Sequence, residues 1–384
     1  MTSGVLRIGR VFGVPLGLHY TWVAIAVLIA LSLAGRFQLE HPTWSTGLVW
    51  TVALVTGALF FTGLVLHELA HAVAAKASGL PVRSITLFAL GGLAHIQKQP
   101  PTPKAEFTMA IAGPLTSVAL GAACLAVALG LGWAPGREPD TPVRAVLVWL
   151  GYINVVLAVF NMVPGYPLDG GRVLRAAAWA VTGDRNRATK IAARGGQVVA
   201  LLLIGYGLFT LLGGAGFGGL WLAFIGWFLL VSAHQAYAES ELDAQLRDVR
   251  VGDIMSADCR ALDERTTVRE FIEEYLFKTG RRCFIVEHDG TVAGLVTPSD
   301  VRGVAPERWQ TLFLRDVMRP LPTIRTIGAD APVTQALEAM SDEDLNQLPV
   351  VSDGTVMGTI SRSDVLRLLL TRNELHPVTT GHAH

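Results

Sequence analysis

The chain has 384 residues, of which 51% are hydrophobic and only 16% charged, and its mean hydropathy is +0.44. Average proteins carry about 25% charged residues, so this composition disfavours both a disordered chain and an ordinary soluble one, and favours a membrane protein. Lys+Arg and Asp+Glu both number 31, and the resulting net charge of zero offers no bulk basicity for nucleic acid. Cys124, Cys259 and Cys283 are too few and too scattered for a disulfide framework or a Cys-x-x-Cys zinc site; they fit thiols kept reduced inside a cell.

The averages hide a split. Residues 1–238 are a series of long apolar runs, and residues 251–371 mix acids and bases in the manner of a water-soluble domain. Between them, 239–250 contains Glu239-Ser240-Glu241-Leu242-Asp243 and reads as an exposed helical linker. Residues 372–384 form a tail whose His376, His382 and His384 read as a loose end, not a metal site.

A bilayer span needs about 20 apolar residues. Six stretches qualify in chain order: Leu16–Ala34, Leu48–Ala75, Phe107–Leu131, Val143–Val163, Val198–Leu212 extended by Ile191–Gly196, and Phe217–Ala233. The first has Arg7 and Arg10 ahead of it but a long apolar core and no small-x-small cleavage site, so it reads as an uncleaved span. With the N-terminus cytoplasmic, the inner loops hold twelve Lys and Arg and the outer loops only Arg36, Arg137 and Arg144. That asymmetry, by the positive-inside rule, predicts a multi-pass cell-membrane protein with the N-terminus and the C-terminal half in the cytoplasm.

Two stretches are not simple anchors. Residues 84–96 are too short to cross as a helix, and their alternation and the Gly91-Gly92 pair predict a hairpin at the membrane surface. Asn161–Arg172 carries Pro164, Gly165, Pro167, Gly170 and Gly171, which interrupt a span. Such backbone is tolerated at membrane depth only where it is buried in protein or lines a wet cavity.

The second span ends in Leu66-His67-Glu68-Leu69-Ala70-His71. Residues four apart lie on one helix face, offset by about 40°, so His67 and His71 can offer imidazole nitrogen to one cation. Zinc bound in this way activates a water by lowering its pKa from about 15.7 towards about 7, and the intervening Glu68 is placed to act as general base. Lone helical histidines are usually structural, but three ionisable groups at the end of an apolar run are expensive, at about 2.5–3.5 kcal/mol for a central charge, and by default functional. A third ligand is wanted. Asp169 follows a span, sits in the Pro/Gly-rich turn and lies at the same depth; its alternative role is to cap a helix that begins near Val173.

His67-Glu68-x-x-His71 together with Asn161-x-x-Pro164-x-x-Pro167-Leu168-Asp169-Gly170-Gly171 resembles the intramembrane zinc metalloproteases of the site-2 protease family. Gly91-Gly92-x-Ala94 and Ala112-Gly113-Pro114-Leu115 also resemble motifs of that family, and the likeness covers about residues 10–235. It implies cleavage of a single-span membrane protein within the bilayer. By the same resemblance His67, His71 and Asp169 are ligands of one Zn²⁺ and Glu68 is the catalytic base. Asn161 and the loop of Pro164 and Pro167 would help hold the substrate chain or the developing oxyanion, and the 84–96 hairpin would belong to a membrane-associated sheet that can pair with unwound substrate.

The soluble half is a repeat. Val251-Gly252-Asp253-Ile254-Met255 returns as Leu314-Arg315-Asp316-Val317-Met318, and Val292–Val301 returns as Val356–Val365. Each copy has an amphipathic helix (Val268–Phe277; Val333–Met340), a short apolar strand (Cys283–Val286; Leu348–Val351) and an Asp-Gly turn at 289–290 or 353–354. The order resembles a tandem pair of cystathionine-β-synthase (CBS) domains, over 251–306 and 307–371. The resemblance implies a pseudo-twofold α/β module, an adenine nucleotide such as ATP or AMP as ligand, and a homodimer. Thr297, Asp300, Ser361 and Asp364 would then meet phosphate or ribose, although each Ser/Thr-x-x-Asp reads equally as a helix cap. Arg281 and Arg282 could neutralise phosphate or simply be solvated.

The expected fold is therefore a polytopic α-helical membrane domain of about six spans with a short β-hairpin, followed by a cytosolic α/β tandem CBS module. The expected activity is a zinc endopeptidase gated by the module. The competing class is a CBS-gated transporter or channel that uses the same metal site; Glu68 distinguishes them, since transport needs no base between two imidazoles. A catalytically dead scaffold is disfavoured because every inferred catalytic residue is present.

Overall fold

The computed structural model describes residues 5–11, 13–88, 91–96, 99–257, 260–279, 284–342, 345–352 and 355–375. Arg281, Arg282, Cys259, Cys283 and the terminal histidines lie outside them. The chain divides into two compact units, Met1–Ser240 and Glu241–His384.

The first unit opens with a hairpin, β1 (Val5–Val11) and β2 (Val14–His19), turned at Gly13, whose φ of 75° suits a residue without Cβ. Helix α1 (Thr21–Glu40) follows, then α2 (Thr46–Ala77), the hairpin β3 (Val82–Phe88) and β4 (Gly91–Ile96), α3 (Pro103–Gly130), α4 (Pro142–Asn161), α5 (Asp169–Thr182), α6 (Arg185–Thr210) and α7 (Phe217–Leu246). The helix starts have local causes. Ser45, Thr102, Thr141 and Asp184 each accept a backbone N–H of the first turn, and Pro103 and Pro142 occupy first-turn positions that need no donor.

Six of these helices, α1 to α4, α6 and α7, are long and apolar enough to cross a membrane. The first span is displaced from its expected start. Leu16 to His19 belong to a strand, and the helix begins at Thr21. The expected 84–96 hairpin is present and larger than expected, because it joins the N-terminal hairpin in a four-stranded sheet of order β1-β2-β3-β4. Strands β2 and β3 pair in parallel through Leu16–Leu18 and Ile85–Leu87, and β3 and β4 pair antiparallel. Strand β4 is left at the sheet edge and lies against α2. Behind the sheet, Val14, Leu69, Ala72 and Ile85 form a buried cluster that ties it to the C-terminal half of α2.

The second unit holds two small sheets. One has the order β5-β6-β7-β8 (Arg260–Asp263, Phe284–His288, Thr291–Val296, Arg319–Pro320), the other β11-β10-β9 (Thr355–Ser361, Gln347–Ser352, Ile327–Gly328). The Asp289-Gly290 turn has φ of 48° and 79° at its two residues, as a two-residue hairpin of this twist requires. Each repeat lends its opening segment to the other. Val251 packs with Val333, Leu348, Val350 and Ile360, whereas Leu314 packs with Val268, Phe271, Phe284 and Val296. Ser256 and Thr359 exchange backbone hydrogen bonds, and Leu314 N–H donates to Thr266 O.

Candidate metal centre

Helix α2 is uninterrupted through its motif, so His67 and His71 project from one face, one turn apart. Both are buried, at 2% and 5% exposure. Helix α5 begins at Asp169 itself, not near Val173, and the preceding Leu168 occupies the capping position. That placement brings the carboxylate to the histidines. Asp169 Oδ2 is 3.2 Å from His67 Nε2 and 3.1 Å from His71 Nε2, and the two Nε2 atoms are 3.3 Å apart.

The triangle has the dimensions of a zinc site. Tetrahedral coordination with bonds of about 2.0–2.1 Å places neighbouring ligand atoms about 3.3 Å apart. The tautomer also fits. His71 Nδ1–H donates to the Met109 carbonyl at 2.6 Å, which leaves Nε2 as a bare lone pair directed at the triangle. Ser117 Oγ stands 2.8 Å from His67 Nδ1 and holds the orientation of that ring. Lone pairs and a carboxylate oxygen facing one another repel, and a cation between them reverses the sign. The space is kept clear by Gly113. A Cβ there would lie 2.3 Å from His71 Nε2 and 2.5 Å from His67 Nε2. Among the described residues, His67, His71 and Asp169 form the group able to hold a metal ion.

Glu68 is half-buried on the adjacent flank of α2 and lies within electrostatic reach of His71, His67, Asp169 and Arg172. Asn161 is the last residue of α4, half-buried, and Pro164 and Pro167 are exposed on the loop that leads from it to Asp169. The loop is held by its backbone. Tyr166 N–H donates to Ala192 O on α6, and Gly196 comes so close that a Cβ would lie 2.1 Å from Tyr166 O.

In the second unit Thr297, Asp300, Ser361 and Asp364 form two matching helix caps. Thr297 N–H and Oγ1–H donate to Asp300 Oδ2 at 2.9 and 2.7 Å; Ser361 N–H and Oγ–H donate to Asp364 Oδ2 at 2.9 and 2.6 Å. Asp300 also takes Arg319 Nε at 2.7 Å.

Sequence reasoning passed over Met109, Ser117 and Asn154. Met109 acts through its carbonyl, which no residue identity reveals. Ser117 is a small polar residue of a kind common in membrane helices. Asn154 did carry a signal as an amide in the middle of an apolar span. It is buried on α4, donates to Leu150 O at 2.8 Å, and faces Gly63 one turn before His67.

Comparison with known proteins agrees with this architecture. The chain matches Peptidase family M50 over residues 56–136 and 131–203, and the CBS domain over 251–307 and 314–371. The zinc metalloprotease Rip3 of Mycobacterium tuberculosis is 36% identical over 366 residues, covering 95% of this chain and 92% of its own. The zinc metalloprotease sll0528 of Synechocystis is 32% identical over 370 residues, covering 95% and 96%. Among solved structures, the site-2 protease from Methanocaldococcus jannaschii is 27% identical, with a TM-score of 0.42 over 61% of this chain and 95% of its own. The molecule is a polytopic membrane metalloprotease joined to a pair of CBS domains. It belongs to peptidase family M50, the site-2 protease family.

Proposed function

We propose that the protein is an intramembrane zinc endopeptidase that cleaves the transmembrane segment of a single-span protein, with His67, His71 and Asp169 as the zinc ligands. The observation that carries this reading is the triangle of three donor atoms at 3.1–3.3 Å, with the His71 tautomer set by a carbonyl. Zinc held there would supply a Lewis acid and bring the pKa of a bound water down towards neutrality. Glu68 takes a proton from the attacking water and passes it to the leaving amine. Met109 O and Ser117 Oγ hold the two imidazoles in register, so neither ring has to reorganise during the reaction. Asn161, Pro164 and Pro167 bind the substrate chain beside Asp169. A helical substrate hides its scissile carbonyl, and edge strand β4, lying against α2, offers unwound substrate a backbone partner.

The N-terminus and the CBS module are cytoplasmic in this reading, which rests on the twelve-to-three distribution of Lys and Arg. The module binds an adenine nucleotide at Thr297, Asp300, Ser361 and Asp364 and gates cleavage, in support of which the two caps repeat each other in matched CBS domains. A homodimer through this module belongs to the same reading. The test of the protease is Glu68→Gln in purified protein reconstituted with a single-span substrate. Cleavage is expected to fall by about 10²–10⁴-fold while the zinc content stays at one per chain. Undiminished cleavage removes the mechanism.

A further inference from the structure

One face of α3 carries residues spaced three or four apart: Glu106, Met109, Gly113 and Ser117. The last three touch the two histidines of α2. Glu106 does something different. It is fully buried, at 0% exposure, in the first turn of a helix with membrane-spanning length. An isolated carboxylate in such a place is expensive and needs a partner. Its partner is Arg175 on α5, whose Nε–H donates to Glu106 Oε1 at 2.7 Å and whose Nη2–H donates to the same oxygen. Arg172 Nε stands 3.9 Å away, and Oε2 has no partner among the described residues. The Glu106 charge is thus answered by two arginines of α5, the helix that begins at Asp169.

Arg175 also reaches backwards. Its guanidinium carbon lies 5.2 Å from the ring centroid of Tyr166, in the loop before Asp169. One side chain therefore grips the chain on both sides of the third ligand, three residues before it and six after, and fastens it to the helix that orients the other two. Hydrogen-bond contacts made by the Asp169 carboxylate itself are to the histidines.

We propose that the Glu106–Arg175 ion pair, with Arg175 stacked on Tyr166, is a positioning device that holds Asp169 at the apex of the donor triangle. This rests on the assignment of Asp169 as a zinc ligand. The pair touches neither substrate nor metal; it acts on the metal through the placement of α5. A purely structural ion pair would contribute to folding alone. A positioning pair also sets how long the ion is held.

The experiment measures transfer of zinc from detergent-purified full-length protein to excess chelator, alongside the melting temperature of the metal-free protein. The variants are Asp169→Ala, Glu106→Gln, Arg175→Gln and the double Glu106→Gln/Arg175→Gln. Asp169→Ala should release zinc at least about 100-fold faster; if it keeps zinc as the wild type does, the ligand assignment fails whatever the others do. Each single variant should release zinc about 10–100-fold faster, as loss of an outer partner does at zinc sites. It should also melt lower, because a charge buried in the pair loses its hydrogen-bonded partner. The double variant removes both charges of the pair and leaves Arg172, whose side chain is 21% exposed, to be solvated, so it should recover the melting temperature but not the release rate. A double variant that melts like the wild type and holds zinc like it overturns the proposal while leaving Asp169 a ligand. A double variant that fails to fold overturns it as well, since the pair is then structural.

Discussion

Gly113 shows how little space separates a working donor set from a blocked one. An added methyl would sit inside normal contact of both Nε2 atoms, and helix backbone on one side and paired imidazoles on the other leave it no room to move. Gly113→Ala is therefore expected to fold with its helices intact, since Ala favours helix over Gly by about 1 kcal/mol. It is expected to lose stoichiometric zinc, and proteolysis with it; metal analysis beside circular dichroism checks both, and a fully zinc-loaded Gly113→Ala would contradict the proposed site. At this scale the sequence was legible where chemistry resides in side-chain identity. His67, Glu68 and His71 stand out as ionisable groups in an apolar run, and Asp169 as the acid in a broken span. The residues that orient them were not legible. A carbonyl at Met109 and a hydroxyl at Ser117 act at sites chosen by how α3 packs, and packing leaves no local mark in the chain.

The loop between α4 and α5 is an element without a regular structure of its own, and it is held by close backbone contact. Its Tyr166 carbonyl lies against α6 at Gly196, and Gly165 lies against the same pair, Gly195-Gly196. Gly196→Ala forces a Cβ to within 2.1 Å of that carbonyl unless the loop moves. The substitution should cost about 1–3 kcal/mol, as overpacking of a tight interior does, and thermal unfolding in detergent measures it; an unchanged melting temperature would show that the loop yields freely. The glycines of 165–171 announced an interruption in the sequence, but their partner on α6 did not. The expected start of the first span at Leu16 differs from the structure for a related reason. Val14, Leu16 and Leu18 alternate like a strand yet run directly into the apolar start of α1, and a hydropathy window merges the two. The pairing of β2 with β1 and with β3, whose partner residues lie 69 positions away in the chain, separates them.

At the scale of the whole molecule, a membrane unit is followed by a pair of CBS domains, a division visible in composition alone. The proposed ligand of the second unit predicts heat on titration of ATP or AMP into the full-length protein, lost when Asp300 and Asp364 are both changed to Ala. It further predicts a cleavage rate that depends on nucleotide. Absence of binding heat, confirmed by equilibrium dialysis, would leave Thr297, Asp300, Ser361 and Asp364 as caps and nothing more. The repeat itself could be read from its 63- and 64-residue spacings, but not the way the copies are joined.

That joining is reciprocal. Val251, which opens the first copy, is sealed into the interior of the second, and Leu314, which opens the second, is sealed into the interior of the first. Neither copy is a complete globule. A truncation after residue 306 would not deliver half of a working pair; it would strip a wall from the copy that remains. Change in one copy must be accommodated by the other, and the pair is inherited, expressed and lost as one body.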